Sequence, residues 1–558
     1  MKRSSNTGKT PPAYLDARQY LIEKLRQAIA EMGGDRIPII VDQPREESWG
    51  DYACNVAMLS ARQFRKAPKD IARDIIERLE LETSIIESVD VAGQGFINFK
   101  LSPEYLRSKV LQILAEEAHF GSSTEGGGKK VQVEFVSANP TGPLNIVSAR
   151  AAAVGDVLVR MLRFRGYEAK SEFYVNDSGN QVALLGLSML ARIKERRGEV
   201  FEIPDQGYHG RYLIALAEEA LRTVMPGLQG MSESQQAEKL GAWTVDRMVA
   251  HQKEVLEAYR VTMDEWFRES MLYAGHETDT VFEVLRLRDA TYLQDGACFL
   301  ATTRFGDQQD RVIRTSDGRY TYFLPDIAYH VNKRDRGFER VIDILGPDHQ
   351  TFQGRMKAAM AALGFDKDFL DVIILQQVNL VRGGEVVKMS KRSGEMVTME
   401  ELLDEVGVDA ARFFFCQRKT TAHLDFDIDL ALKRTEDNPV YYVQYAHARI
   451  ASIFRKSPYE IDYQLFVHLM TEREEIDLVK KLAQFPDVIS VCVQNLEPQT
   501  LTGYLQEVAA TYHRFYHEHR VISEDENLSK MRLGLCRATQ IVLRNGLDLL
   551  GITAPESM

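Results

Sequence analysis

The chain has 558 residues, 44% hydrophobic and 27% charged, a globular balance whose length predicts three to four domains at roughly 150 residues each and excludes one small binding module. Lys plus Arg number 69 against 81 Asp plus Glu, a formal net charge of −12, so a polyanion-binding surface has to be a local basic patch. Cys54, Cys298, Cys416, Cys492 and Cys536 are scattered with no C-x-x-C pair or zinc-spaced His cluster, and no signal peptide or membrane span is evident; the expectation is a cytoplasmic protein in a reducing compartment with no structural metal.

Taken in chain order, Tyr14 to Met32 places apolar residues at helical spacing, and Ala53 to Leu79 does so again, with Pro68 and Asp70 marking a fresh helix start. Strand-like runs at Ser88 to Ala92 and Gly95 to Lys100 follow, so residues 1–120 are expected to form a small α/β domain closed by the linker GSSTEGGGKK. VQVEFV then alternates and is β-branched, SANPTGPLN is turn-rich, Ala149 to Arg163 is helical and EAKSEFYV is a second strand. That is a βαβ unit of the Rossmann type. A polar segment from Lys194 to Tyr208 and a helical stretch from Arg211 to Arg260 interrupt the pattern. Strands resume at Ala297 to Ala301, Arg311 to Thr315, Val341 to Leu345 and Val372 to Gln376, which makes 121–397 a Rossmann-type parallel-sheet domain with insertions. From Thr398 onward, Met399 to Val406, Asp409 to Gln417, Ala431 to Lys456 and most of Tyr463 to Leu550 have helical periodicity. An all-helical domain over 398–558 completes an α/β multidomain chain.

Two segments could carry chemistry. The turn Ser137 to Ser148 after the first Rossmann strand can deliver a nucleotide to a helix N-terminus, where free amides and the helix dipole favour phosphate; an ordinary βα turn is equally compatible. The segment Val387-Lys388-Met389-Ser390-Lys391-Arg392-Ser393-Gly394 puts three cations within five residues on a Gly-bounded loop. Such a loop can close over a triphosphate, or simply be a solvated basic loop.

Together the two segments resemble the paired signatures of class I aminoacyl-tRNA synthetases. EFVSANPTGPL, FYVNDSGNQ, YFLPDIAYH, DAARFFF and NPVYYVQYAHARI further resemble blocks of bacterial arginyl-tRNA synthetases, and the likeness runs from Tyr14 to Met558. It implies an N-terminal tRNA-elbow domain, a catalytic domain and a helical anticodon-binding domain. It implies carboxylate attack on the α-phosphorus of ATP, giving arginyl-adenylate and pyrophosphate, then transfer to the terminal ribose of tRNA(Arg), with Mg²⁺ on the phosphates and no protein nucleophile. Bound tRNA is implied to precede activation, and the enzyme is expected to be a monomer off the membrane.

The resemblance assigns Asn145, Ser148, Lys388, Ser390 and Lys391 to catalysis, and Pro140, Gly142, Pro143, Asn145, Ile146, Val147, Ser148 and Met389 to ATP. For arginine it assigns Asn139 to the amino or carboxylate end and Glu269, Tyr322 and Asp326 to the guanidinium, with Glu134 a weaker candidate. A planar, permanent cation is matched by carboxylates with an acceptor beside them, although most acids in proteins are surface salt bridges or caps. His349 lines the ATP or arginine side or is structural.

One departure stands out. Where the family has His, apolar, Gly, His, this chain has Asn145, Ile146, Val147 and Ser148. Asn and Ser still donate hydrogen bonds but carry no imidazolium charge, and Val fills space that lets a purine approach the backbone. Two functions follow: an active arginine–tRNA ligase, or a non-catalytic arginine- and tRNA-binding paralogue that has lost ATP chemistry.

For tRNA, Arg62, Arg65, Lys66 and Lys69 cluster in the first domain, and the resemblance points to Phe96 and Asn98 as D-loop contacts, with Phe99 equally suited to a core. In the last domain Tyr441, Tyr445 and Arg449 share one helical face. Such a stripe is more often core, but it falls in the anticodon block, and which ring faces RNA stays open. Arg434, Arg455 and Lys456 could add phosphate contacts.

Overall fold

The computed structural model describes residues 16–558 apart from 35, 36, 43, 45, 388–396 and 461–466. In the N-terminal domain, strands Val41–Asp42, Tyr52–Cys54, Phe96–Leu101 and Ile86–Ala92 pair antiparallel in that spatial order. Helices Ala17–Glu31, Val56–Phe64, Pro68–Ile76 and Pro103–Glu116 pack with them. Pro68 does open a helix, in the first-turn position where its missing N–H costs nothing. Asp16 caps the first helix, its carboxylate accepting from the amides of Arg18 and Gln19.

The central sheet has five parallel strands in the order Leu370–Ile374, Arg340–Leu345, Lys130–Glu134, Glu168–Val175, Glu265–Arg268. The chain winds outward from the central Lys130–Glu134 strand on one side, then returns to lay Arg340–Leu345 on the other. That reversal opens a crevice at the carboxyl ends of these two strands, where sheets of this kind bind ligands. Helix Ile146–Phe164 covers the crevice edge and lies tight on the sheet: a Cβ on Gly155 would stand 2.2 Å from the Phe135 ring.

The helical insertion consists of Gly179–Arg197, Tyr212–Thr223 and Glu233–Ala258. The expected single stretch from Arg211 to Arg260 is broken by a 3₁₀ turn, Met225–Leu228, containing Pro226; Ser232 and Gln235 then start the next helix as a reciprocal capping box. A second insertion carries the antiparallel strands Thr291–Gln294, Ala297–Leu300 and Arg311–Arg314.

After the basic loop the chain is not purely helical. Strand Leu424–Asp427 runs parallel to Val378–Arg382, which also forms a hairpin with Glu385–Val386. Leu424 and Phe426 are buried and Asp425 is exposed, the alternation of a half-buried strand. The helix expected from Ala431 begins at Pro439, because the Asn438 side chain accepts from the Val440 amide and so caps it there. Helices Pro439–Lys456, Arg473–Ala483, Phe485–Asn495, Gln499–Glu518 and Glu526–Leu550 build the C-terminal bundle, and the last packs against Pro103–Glu116 and Ile146–Phe164. No helix among the described residues is long and apolar enough to cross a membrane.

Candidate active site

Immediately after the central strand, Val136 and Ser137 both adopt positive φ, 69° and 37°. A β-branched residue in that region stores strain of about 1–3 kcal/mol, and it bends the chain sharply into the Asn139 to Pro143 turn. Ser137 Oγ donates to Glu134 Oε1 at 2.9 Å and accepts from the Tyr174 amide at 3.0 Å, fixing the bend. The insertion holds the turn from the other side. Gln252, fully buried, donates to the carbonyls of Asn139 and Gly142 at 3.4 Å, and the Tyr212 hydroxyl donates to the Thr141 carbonyl.

Asn145 is the N-cap of helix Ile146–Phe164: its Oδ1 accepts from the amides of Val147 at 2.9 Å and Ser148 at 3.1 Å. Those two amides are therefore not free for phosphate, unlike the sequence expectation. The Asn145 amide nitrogen remains as a side-chain donor at this helix start, whereas Ser148 Oγ donates to Asn145 Oδ1 at 3.4 Å. Val147 packs on the core and Ser148 is buried. Lys388, Met389, Ser390 and Lys391 lie outside the described residues, but the chain just past them reaches the turn. Thr398 forms an antiparallel bridge with Asn145, and the Met399 amide donates to the Leu144 carbonyl at 2.9 Å. The chain that follows the basic segment thus meets the turn at one crevice wall.

The other wall is helix Phe323–Asp335, which places Asp326, Tyr329, His330 and Lys333 at successive turns. Below it, Asp343, Glu134 and Glu172 stand side by side across three strands. Lys333 Nζ reaches Glu134 Oε2 at 2.7 Å and Asp343 Oδ1 at 2.8 Å, while Arg336 grips Glu172 with two bonds of 2.6 and 2.8 Å. Glu134, expected near arginine, has both oxygens engaged within the protein and supports the wall from behind.

Asp326 and Glu269 differ: neither forms an ion pair among the described residues. Burial pushes the Asp326 carboxyl up to about 7, with Glu134 and Glu269 adding to the rise and His330 and Arg355 opposing it. Glu269, 7% exposed, accepts from Ser178 Oγ at 3.1 Å and the Tyr273 hydroxyl at 2.9 Å, and the Asn176 amide nitrogen donates to its second oxygen at 3.3 Å. Tyr174 joins them. Burial, then the charges of Glu269, Asp326 and Glu134, push its hydroxyl far above the ordinary range. Two acids walled by Tyr174, Phe267 and Tyr329 are suited to a flat organic cation. Tyr322, expected to join it, is 80% exposed at the helix start, and His349 is exposed with its ring edge-on to Phe352.

Comparison with known proteins decides the family. The profile of the class I (R) tRNA synthetase catalytic domain matches residues 109–425, that of the arginyl tRNA synthetase N-terminal domain 19–101, and that of the DALR anticodon binding domain 443–558. Arginine–tRNA ligase 1 of Halalkalibacterium halodurans is 43% identical over 549 residues, 97% of this chain and 99% of that one. The arginine–tRNA ligase of Desulforamulus reducens is 43% identical over 93% of this chain and 94% of its own. The chain belongs to the arginyl-tRNA synthetases. Its fold matches that of Thermus thermophilus arginyl-tRNA synthetase with a TM-score of 0.79, over 97% of this chain and 100% of that one at 23% identity.

Within this arginyl-tRNA synthetase, Phe96 is 42% exposed at a strand start and Asn98 is half-buried, whereas Phe99 is fully buried and belongs to the core. Tyr441 and Tyr445 stack with ring centres 6.2 Å apart and planes 8° from parallel; Arg449 donates to the Tyr445 hydroxyl at 2.7 Å. His513, from helix Gln499–Glu518, lies against Tyr442 and Tyr445 and lines, with Lys481, Arg514 and His517, a cavity of about 610 Å³. Sequence reasoning missed Tyr174, Gln252, His330, Lys333, Asp343 and His513. The one available signal was charge inside strands: Glu134, Glu172 and Asp343 sit where parallel strands are otherwise apolar.

Proposed function

We infer that this arginyl-tRNA synthetase activates L-arginine with ATP to arginyl-adenylate and pyrophosphate, then transfers the arginyl group to the 3′ end of tRNA(Arg), releasing AMP. The observation that carries this is the Asp326–Glu269 pair, two acids that form no ion pair among the described residues, beside the turn that meets the basic loop's flank. The guanidinium occupies that pair, with Asn139 at the amino or carboxylate end. That points the arginine carboxylate at the ATP carried on Pro140, Gly142, Pro143 and Asn145 to Ser148. Asn145 donates to phosphate oxygens through its amide nitrogen, with Ser148, whose Oγ donates to Asn145 Oδ1 at 3.4 Å, orienting it. By family likeness Lys388, Ser390 and Lys391 neutralise charge as pyrophosphate leaves, and Met389 borders the adenine. ATP enters as its Mg²⁺ complex, the metal screening phosphate charge; an amide donor at the turn suits phosphate rather than the metal.

Phe96, Asn98, Tyr441, Tyr445 and Arg449 take tRNA, the exposed ring and the stacked pair offering bases a surface. The domains divide near residues 120 and 397. Five buried thiols and no disulfide suit the cytoplasm, and the enzyme works as a monomer. ATP–pyrophosphate exchange tests the chemistry: exchange that requires arginine and cognate tRNA together is expected, and tRNA binding with no exchange would favour the non-catalytic paralogue.

A further inference from the structure

Outside the residues assigned above, His330 is a buried polar group of the crevice wall with both ring nitrogens engaged. It is 2% exposed, with Nδ1 2.7 Å from the Asp326 main-chain carbonyl and Nε2 2.8 Å from Asp343 Oδ2. A carbonyl oxygen only accepts. Asp343 also only accepts: its other oxygen is held by Lys333 at 2.8 Å, and against the effect of burial, Lys333 and His330 keep its carboxyl well below the ordinary range. Each ring nitrogen therefore has to bring a proton, which a neutral imidazole cannot do.

We propose that His330 is the positioning residue of the arginine site: a doubly protonated ring that ties the first turn of helix Phe323–Asp335 to the sheet and holds positive charge behind Asp326. Resting on the assignment of Asp326 to the guanidinium, this explains the charge balance of the wall. Glu134, Glu172 and Asp343 meet Lys333, Arg336 and the imidazolium, three charges against three. The buried cluster is then neutral, and Asp326 and Glu269 remain as the acids of the crevice that form no ion pair among the described residues. A neutral ring would leave a buried negative charge beside Asp326 and tighten the hold of its carboxyl on the proton that a guanidinium has to displace. The other groups around the ring fit this role. Tyr329 packs edge-on at 5.9 Å and directs its hydroxyl to Glu172, Phe352 closes the third side at 6.2 Å, and Arg355 acts on Asp326 from the Phe352–Ala362 helix.

The test uses the full-length enzyme labelled with ¹⁵N-histidine, the His330 signal being assigned by its loss in His330→Gln. Both ring nitrogens are expected to be protonated at pH 7.5 without arginine; a ring nitrogen lacking its proton would overturn the proposal. In parallel, His330→Gln, which keeps one donor but no charge, is expected to weaken arginine binding at least about tenfold at pH 7. It should leave the ATP KM within about twofold and move the pH profile of arginine binding to higher pH. An arginine affinity unchanged in a folded His330→Gln protein, or ATP and arginine affinities falling together, would also overturn it. Asp326→Asn separates the two claims: if it binds arginine normally, the guanidinium assignment fails while the ring's protonation is read independently.

Discussion

On the proposed assignment of the guanidinium, substrate choice turns on Asp326. Its carboxyl, pushed up to about 7 by burial and then by the neighbouring acids, holds a proton in the empty site below that pH. A guanidinium binds the anion, so binding there must displace the proton. Arginine affinity is expected to fall about tenfold per pH unit below 7 and to level off above it, measured as arginine Kd by calorimetry across the range. Asp326→Asn should flatten that profile and cost at least about 100-fold, near 2.7 kcal/mol. Asn145 poses a different question. As a cap it contributes about 1 kcal/mol to helix stability while its amide nitrogen remains to donate, and Val147 already packs on the core. Restoring His, Gly and His at 145, 147 and 148 should therefore not raise kcat/KM for ATP; a large gain would mean the present turn is an impaired one. Of these residues, an acid set among aromatics in YFLPD was legible in the sequence. The relay of Lys333, Asp343 and His330 was not, since its members meet only when the strand Arg340–Leu345 is laid against the helix before it.

At the level of elements, the residue patterns located the strand Glu168–Val175 and the helix Met399–Val406 to the residue: the helix buries one face through Met399 and Leu402, and the strand, buried on both faces from Ser171 to Phe173, is bounded by Gly166 and the turn after Val175. Leu424–Asp427 was hidden: four residues between helices give too short a pattern to separate from helical spacing. The insertion shows how packing away from the crevice shapes the site. Helices Gly179–Arg197 and Glu233–Ala258 cross at Gly186, where a Cβ would lie 2.0 Å from the Ala237 carbonyl. The second of these helices carries Gln252, which holds the turn. Gly186→Ala forces them apart, at a cost of about 1–3 kcal/mol, and should move Gln252 with them. A lower thermal midpoint together with a raised ATP KM is expected; an unchanged ATP KM would detach the insertion from nucleotide binding.

Across the whole molecule, three domains meet around a cavity of about 800 Å³ lined by Asp51, Tyr105, Lys109, Arg165 and Lys480, well away from the crevice. Lys480 pairs with Asp51 at 2.7 Å, and the Tyr52 hydroxyl donates to Asp487 at 2.8 Å, joining the N-terminal domain to the anticodon domain. Burial, then the Asp16 charge, pushes the Asp487 carboxyl up to about 7. Because its folded value lies above the unfolded one, the stability it contributes is full at low pH and is lost as pH rises through about 7. Asp487→Asn should flatten the fall in thermal midpoint between about pH 4 and 7 and stabilise the protein at about pH 8; a slope unchanged from the parent would place the proton elsewhere. The central claim, that the altered turn and the Asp326–Glu269 pair still form one site, is tested most directly by a crystal structure with a nonhydrolysable arginyl-adenylate analogue. The guanidinium should lie between Asp326 and Glu269 with the adenine along Gly142 to Ser148; a crevice left empty at saturating analogue, or the analogue bound elsewhere, would contradict it.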